Sequence, residues 1–310
     1  MRQKTVGGKR INLKKLFATV IIGFFLLIIS VICIYNEVVN RKIKMATNTY
    51  SSQIAEKRIE DKKKKEEEEK RKKQILDHKY DKLNNKELEK IDNIYKHQDK
   101  KRVLLTFDDG PTAAVTPFIL DLLKKEKIKA NFFVLGSMVE NYPDILKREY
   151  NEGHFIANHG YSHKYKEIYE NADAVINEYN RTNTLIRTTL GNNKFNSMVF
   201  RFPGGSTGGY YNDLKWEAKQ KLREQGIASL DWNALTNDSD GADTKEAILD
   251  SFYYTIQDKT SIVLLMHDSS DKILTYEALP DIIAYFKNNG YEFQTIFDVI
   301  ERTEWKEFEK

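Results

Sequence analysis

Residues 103–111, reading VLLTFDDGP, commit this part of the chain to a strand that delivers two acids into a loop. A short run of β-formers stops at Asp108 and Asp109, and Gly110 and Pro111 then force the backbone to turn. Burying two carboxylates side by side is costly unless a cation or a shared proton compensates them. The pair therefore asks for a partner, and a metal ion suits it best. Taken alone, DDGP also makes a good surface turn, so the residues downstream have to decide.

After residue 100, apolar runs rich in β-formers alternate with amphipathic helical patterns. Strands are expected at 103–107, 130–136, 154–159, 198–203, 228–232, 261–267 and 291–296. Helices are expected at 116–125, 143–152, 172–190, 214–225, 244–256 and 277–288. This alternation means βα units and a parallel sheet. Seven strands in ~200 residues either close as a barrel, with the site at the C-terminal ends, or lie open as a doubly wound sheet. Periodicity does not choose between them. Four of the seven strands end in chemically capable side chains, namely Asp108 with Asp109, His159, Arg201 and His267, which favours one shared mouth.

The first hundred residues have a different texture. Arg2, Lys4, Lys9, Arg10, Lys14 and Lys15 precede an unbroken apolar or small-residue run at 16–34. As a helix this run rises ~28 Å, enough to cross a bilayer core. It is longer than a signal-peptide core and no small-x-small cleavage site follows it, so a retained anchor is expected. The basic flank places the N-terminus in the cytoplasm and the rest outside, although Arg41, Lys42 and Lys44 blur the asymmetry. Residues 61–73, DKKKKEEEEKRKK, then set opposite charges four apart, an i,i+4 pattern that suits a solvated helix or a mobile linker. Sparse apolar positions there hold no clean heptad, which gives a coiled coil weak support. The expected organisation is a basic tail at 1–15, a membrane anchor at 16–36, a charged spacer at 37–100 and a catalytic domain at 101–310.

The net charge of +4 is small and is fed by these N-terminal segments, so it is no nucleic-acid footprint. Cys33 is the only cysteine and lies in the apolar run, which rules out a disulfide framework.

Further clusters carry chemistry. In ANHGYSH, at 157–163, His159 and His163 stand four apart. On a helical turn their rings share one face, close enough to hold one ion with a carboxylate. Arg201, in FRFPGGSTGG at 200–209, leaves an apolar strand where an unpaired guanidinium would be expensive, so it should meet an acid at the mouth. The glycines there lack the Lys and Ser/Thr of a phosphate loop and do not match GxGxxG, so no nucleotide cofactor is expected. LDWNALTND places Asp231 and Trp232 at another strand end, and SIVLLMHD puts His267 after a wholly apolar strand.

In combination these clusters resemble the polysaccharide deacetylases with the NodB homology domain, carbohydrate esterase family 4. The resemblance covers about residues 101–304. TFDDGP matches the family's first motif, the stretch from His159 to His163 its HxxxH metal motif, RFPGG its arginine motif, and LMH its leucine-x-histidine motif. It implies a distorted (β/α)7 barrel. By position it implies Asp108 as general base, and Asp109, His159 and His163 as ligands of one divalent metal, zinc first and cobalt or manganese next. Arg201 would position Asp108, His267 would be the general acid, the Gly204 N–H would hold the oxyanion, and Leu265 and Trp232 would line the substrate site. Two departures stand out. Many relatives have a proline and an aromatic where this chain has Phe202 and Gly204, which leaves one wall of the sugar groove more open. Many also carry an acid, at the place of Leu235, that tunes the histidine; here Asp231 and Asp238 are the candidates for that part.

The expected function is metal-dependent removal of N-acetyl groups from an extracellular cell-wall glycan, foremost N-acetylglucosamine in peptidoglycan, by a membrane-anchored enzyme. N-acetylmuramic acid, poly-N-acetylglucosamine and acetylxylan are alternative substrates. A glycan-binding envelope protein without turnover is the alternative of a different class.

Overall fold

The computed structural model describes residues 13–304 and 306. The basic tail expected at 1–15 lies outside the described residues up to residue 12. The chain divides into two units, 1–70 and 71–310. Helix α1 (Leu13–His78) makes up the described part of the first unit and runs on past residue 70; it takes in the whole apolar run, and the described large apolar side chains from Phe17 to Ile34 are exposed. This is a helix long and apolar enough to cross a membrane. The charged segment continues the same helix, with i,i+4 pairs Glu60–Lys64 at 2.8 Å and Lys62–Glu66 at 3.8 Å. Pairs this exposed contribute little, a few tenths of a kcal/mol each.

The second unit begins well before residue 101. Tyr80, Leu83, Leu88, Ile91 and Ile94 are buried in its core, and Tyr80 packs against Tyr150, Phe155, Phe195 and Phe297. Helix α2 (Asn85–Asp92) opens with a capping box between Asn84 and Glu87, and Arg302 grips the Glu87 carboxylate with two nitrogens. Residues assigned above to the spacer thus pack into the body. Their apolar positions looked sparse because they meet the barrel and not a partner helix.

The remaining elements alternate: β1 (Arg102–Asp108), α3 (Thr116–Glu126), β2 (Asn131–Val134), α4 (Gly136–Asn141), α5 (Pro143–Asn151), β3 (Phe155–Asn158), α6 (Tyr165–Ile168), α7 (Ala172–Leu190) and β4 (Val199–Phe200). They continue with α8 (Asn212–Glu224), β5 (Ala228–Ser229), β6 (Ala234–Leu235), α9 (Lys245–Thr255), β7 (Ser261–His267), α10 (Ile273–Asn288), β8 (Glu292–Phe293) and α11 (Ile296–Val299). All sheet pairs are parallel, in the order β5-β4-β3-β2-β1-β7-β6, and β8 joins the start of β1. β5 and β6 stand at opposite ends of this path, so the sheet curls into a barrel that is not fully closed.

β1 and β7 are buried almost throughout, as continuous apolar runs flanked by helices should be. Asn171 caps α7 through the Ala174 N–H and Gly191 ends it in the left-handed conformation, which is why its expected bounds coincide with the observed ones. Strand β6 was not expected. Two residues leave no period to read, and it exists because Ala234 and Leu235 register against Leu264 and Leu265 of β7.

Candidate active site

Parallel strands present their C-terminal ends on one side, and the polar residues meet there. Asp108, the last residue of β1, is in register with His267, the last of β7. Asp109 then takes φ 75°, a left-handed conformation uncommon outside glycine. Gly110 is required by crowding, since a Cβ there would lie 2.1 Å from Oδ2 of Asp268. The Asp268 N–H donates to the Asp108 carbonyl at 3.1 Å, and the Thr116 hydroxyl donates to its Oδ2 at 2.5 Å. Burial, with the nearby Asp109 and Asp108, pushes the Asp268 carboxyl up to about 7. Asp268 therefore buttresses the acidic turn from beneath. Its only sequence signal was its place after His267.

His159 and His163 face each other with ring centroids 5.2 Å apart, although the segment between them is not helical. Gly160 and His163 both have positive φ, and the Glu178 carboxylate accepts the N–H groups of Tyr161 and Ser162. A pinned loop, rather than the helical turn considered above, sets the spacing. Glu178 lies in α7, far from the motif in sequence, so nothing pointed to it.

Oδ1 of Asp109 lies 3.6 Å from Nε2 of His159 and 3.5 Å from Nε2 of His163, and all three ligand atoms fall within 4.8 Å of one another. That oxygen is buried and accepts no hydrogen bond. His159 donates from Nδ1 to the Arg201 carbonyl at 2.8 Å, which leaves Nε2 as the free lone pair. Burial lowers its pKa, against the pull of Asp108 and Asp109, and so favours the neutral ring that ligates metals. Two imidazole nitrogens and one orphaned carboxylate oxygen fit a divalent ion that keeps positions open.

Arg201 is fully buried, with its guanidinium 3.8 Å above the Phe133 ring. NH1 donates to Asp108 Oδ1 and to Thr106 Oγ1, each at 2.8 Å. Nε and NH2 donate to the carbonyls of Leu230 and Asp231. The acid expected to meet this arginine is thus Asp108. His267 lies across the mouth with Nδ1 2.9 Å from Asp238 Oδ1, while the other Asp238 oxygen accepts the His267 N–H at 2.7 Å and the Thr275 hydroxyl at 2.8 Å. Burial alone would lower the His267 pKa. Asp238, helped by Asp108 and Asp109, outweighs it and pushes the imidazole up to about 9.

Of the two acids considered as its partner, Asp238 touches His267 and Asp231 does not. Asp231 instead accepts the Ser206 N–H and hydroxyl and so anchors the glycine-rich loop. Trp232 stands 3.4 Å from where a Gly205 Cβ would project. Leu265 lies buried in β7, beside Leu235 of β6. The wall expected to be open at Gly204 is occupied, because a Cβ at this residue (φ 71°) would meet the Tyr165 hydroxyl at 2.2 Å.

The family described as polysaccharide deacetylase matches residues 95–226. A Bacillus cereus peptidoglycan-N-acetylglucosamine deacetylase is 33% identical over 202 residues, 64% of this chain and 70% of that protein. The Listeria monocytogenes peptidoglycan-N-acetylglucosamine deacetylase PgdA is 31% identical over 211 residues, 67% of this chain but only 40% of its own length. Among solved structures, a Streptococcus mutans CE4 esterase superposes with a TM-score of 0.61 at 32% identity, covering 69% of this chain and 95% of that one.

Proposed function

The chain belongs to the polysaccharide deacetylase family, and on that premise we propose that it hydrolyses the N-acetyl groups of N-acetylglucosamine in peptidoglycan. The observation that carries this reading is the convergence of an orphaned Asp109 oxygen and two histidines beside a buried Asp108–Arg201 pair and a His267 held by Asp238. Asp109, His159 and His163 would hold one divalent ion, zinc foremost. Such an ion polarises the acetamide carbonyl and lowers the pKa of an adjacent water.

The protein's own groups do the rest. Asp108, its Oδ1 fixed by Arg201, accepts the proton that water gives up as it attacks. The Gly204 N–H faces the developing oxyanion, and Leu265 and Trp232 bound the acetyl and sugar positions. An amine leaves poorly unless protonated, and His267, kept cationic by Asp238, supplies that proton.

We read the apolar run within α1 as a retained anchor with a cytoplasmic N-terminus, and the charged remainder of the helix as a spacer that sets the reach of an outward-facing domain. A tether of this kind suits a fixed polymer better than a diffusing metabolite.

The test is acetate release by the purified, detergent-solubilised chain. It is incubated with Zn²⁺, Co²⁺ or Mn²⁺ and either N-acetylglucosamine oligomers or peptidoglycan fragments. Chelation should abolish release and added ion restore it, while His159→Ala should lose Zn²⁺ binding in a calorimeter. Turnover indifferent to chelator would reject the metal assignment. Release from muramic acid residues alone would move the substrate, and no release under any condition would favour a glycan-binding protein.

The role given to Asp238 makes a separate prediction about pH. Because the folded His267 pKa is raised to about 9, the general acid is present below that value and lost above it. Asp238→Asn removes the opposing charge and leaves burial to lower the pKa, so the alkaline limb of kcat/KM should move down by more than one pH unit. Linkage has the same sign. The stability that protonated His267 contributes is complete below its unfolded pKa near 6.5 and is lost as pH rises through about 9. An unmoved alkaline limb in the variant would remove Asp238 from this role.

A further inference from the structure

We propose that a ledge of tyrosines running outward from the site binds sugar rings of the glycan beyond the one whose acetamide is attacked; this rests on the deacetylase reading. The ledge starts at Tyr165, whose ring lies 5.9 Å from that of His163 and whose hydroxyl fills the space that any side chain at residue 204 would need. Rings then follow in three steps of 5.1–5.6 Å, from Tyr165 to Tyr169, to Tyr211 and to Tyr210.

The two middle rings are supports. Tyr169 is buried and donates its hydroxyl to the Pro203 carbonyl at 2.7 Å, and Tyr211 is half-buried at the start of α8. The two ends are free to touch a ligand, Tyr165 being 42% exposed and Tyr210 95% exposed. An aromatic ring that exposed adds almost nothing to the core. Set against a fixed neighbour, it offers a flat apolar face and a polar tip at low entropic cost, which suits the C–H faces and hydroxyls of a sugar. Gly208 and Gly209, just before it, have open space where side chains would stand, so nothing on those residues crowds the approach.

A single sugar ring cannot cover both exposed ends, since the buried ring of Tyr169 and the half-buried ring of Tyr211 separate them. The occupant is therefore a polymer threaded past the site, a β-linked chain containing N-acetylglucosamine, with Tyr210 contacting a ring distal to the scissile acetamide.

The experiment compares the dimer and hexamer of β-1,4-linked N-acetylglucosamine on the zinc-loaded full chain. It uses wild type, Tyr210→Ala and Tyr210→Phe, with hexamer affinity followed by calorimetry. In Tyr210→Ala the ratio of kcat/KM for hexamer over dimer should fall about tenfold, and Tyr210→Phe, which keeps the ring, should restore it. Turnover with an unchanged ratio overturns the ledge and leaves the deacetylase reading intact. If no variant releases acetate, the functional reading falls and calorimetry judges the ledge alone. Hexamer bound about tenfold more weakly by Tyr210→Ala then supports it, whereas equal binding, or none by wild type, overturns it.

Discussion

Asp108→Asn should lower kcat for acetate release by about 10³-fold while the chain stays folded and still binds zinc, within the range that a positioned general base contributes. The amide keeps the shape of the side chain and an oxygen for the Arg201 NH1, so the mouth of the barrel need not rearrange. What it loses is the capacity to take a proton. It also leaves Arg201 buried opposite a neutral group, although the Thr106 hydroxyl and the Leu230 and Asp231 carbonyls still accept from that guanidinium. Some stability should therefore be lost without loss of fold. The ligand atoms of Asp109, His159 and His163 are untouched, so calorimetric zinc affinity separates a missing base from a collapsed site. Turnover near the wild-type rate in a folded, zinc-binding variant would remove Asp108 from its proposed role.

The parts of this site that local chemistry dictates were legible in the sequence, and the parts that depend on loop paths were not. VLLTFDD could be read as a strand ending in acids because a continuous apolar run has only one sensible use in a parallel sheet, and β1 and β7 do run side by side with Asp108 in register with His267. The need of Arg201 for a carboxylate followed from the cost of burying it unpaired. Which acid serves His267 could not follow, since Asp231 and Asp238 lie on either side of β6, a two-residue strand with no pattern of its own. Tyr165 was invisible for the same reason. Its hydroxyl reaches the place of a Gly204 side chain only once two separate loops have been laid over the barrel mouth. The boundary of the packed unit escaped because Leu83, Leu88, Ile91 and Ile94 bury against the barrel from within a segment whose composition reads as solvated.

Arg201→Met should be the most destabilising of the substitutions considered, by about 3–5 kcal/mol, because it strands a buried carboxylate. Asp108 is 2% exposed and its Oδ1 faces the guanidinium at 2.8 Å, so water has no easy way to replace the lost charge. The carbonyls of Leu230 and Asp231 lose their donors in the same step. For a packed unit of this size each kcal/mol corresponds to roughly 2–4 °C in Tm, which makes a drop of about 10 °C the expected calorimetric result. The double variant Asp108→Leu with Arg201→Met tests whether charge or packing is responsible. A buried ion pair replaced by apolar groups of similar volume is often neutral or better, so the double variant should recover most of the lost Tm and remain inactive. Thr106 sharpens the expectation, since its hydroxyl also donates to the Leu264 carbonyl and so keeps a partner in both variants. A single variant as stable as wild type would mean that the ion pair between Arg201 and Asp108 contributes nothing to stability. A double variant no more stable than the single one would mean that the guanidinium stacked on Phe133, and not the ion pair, holds this side of the barrel.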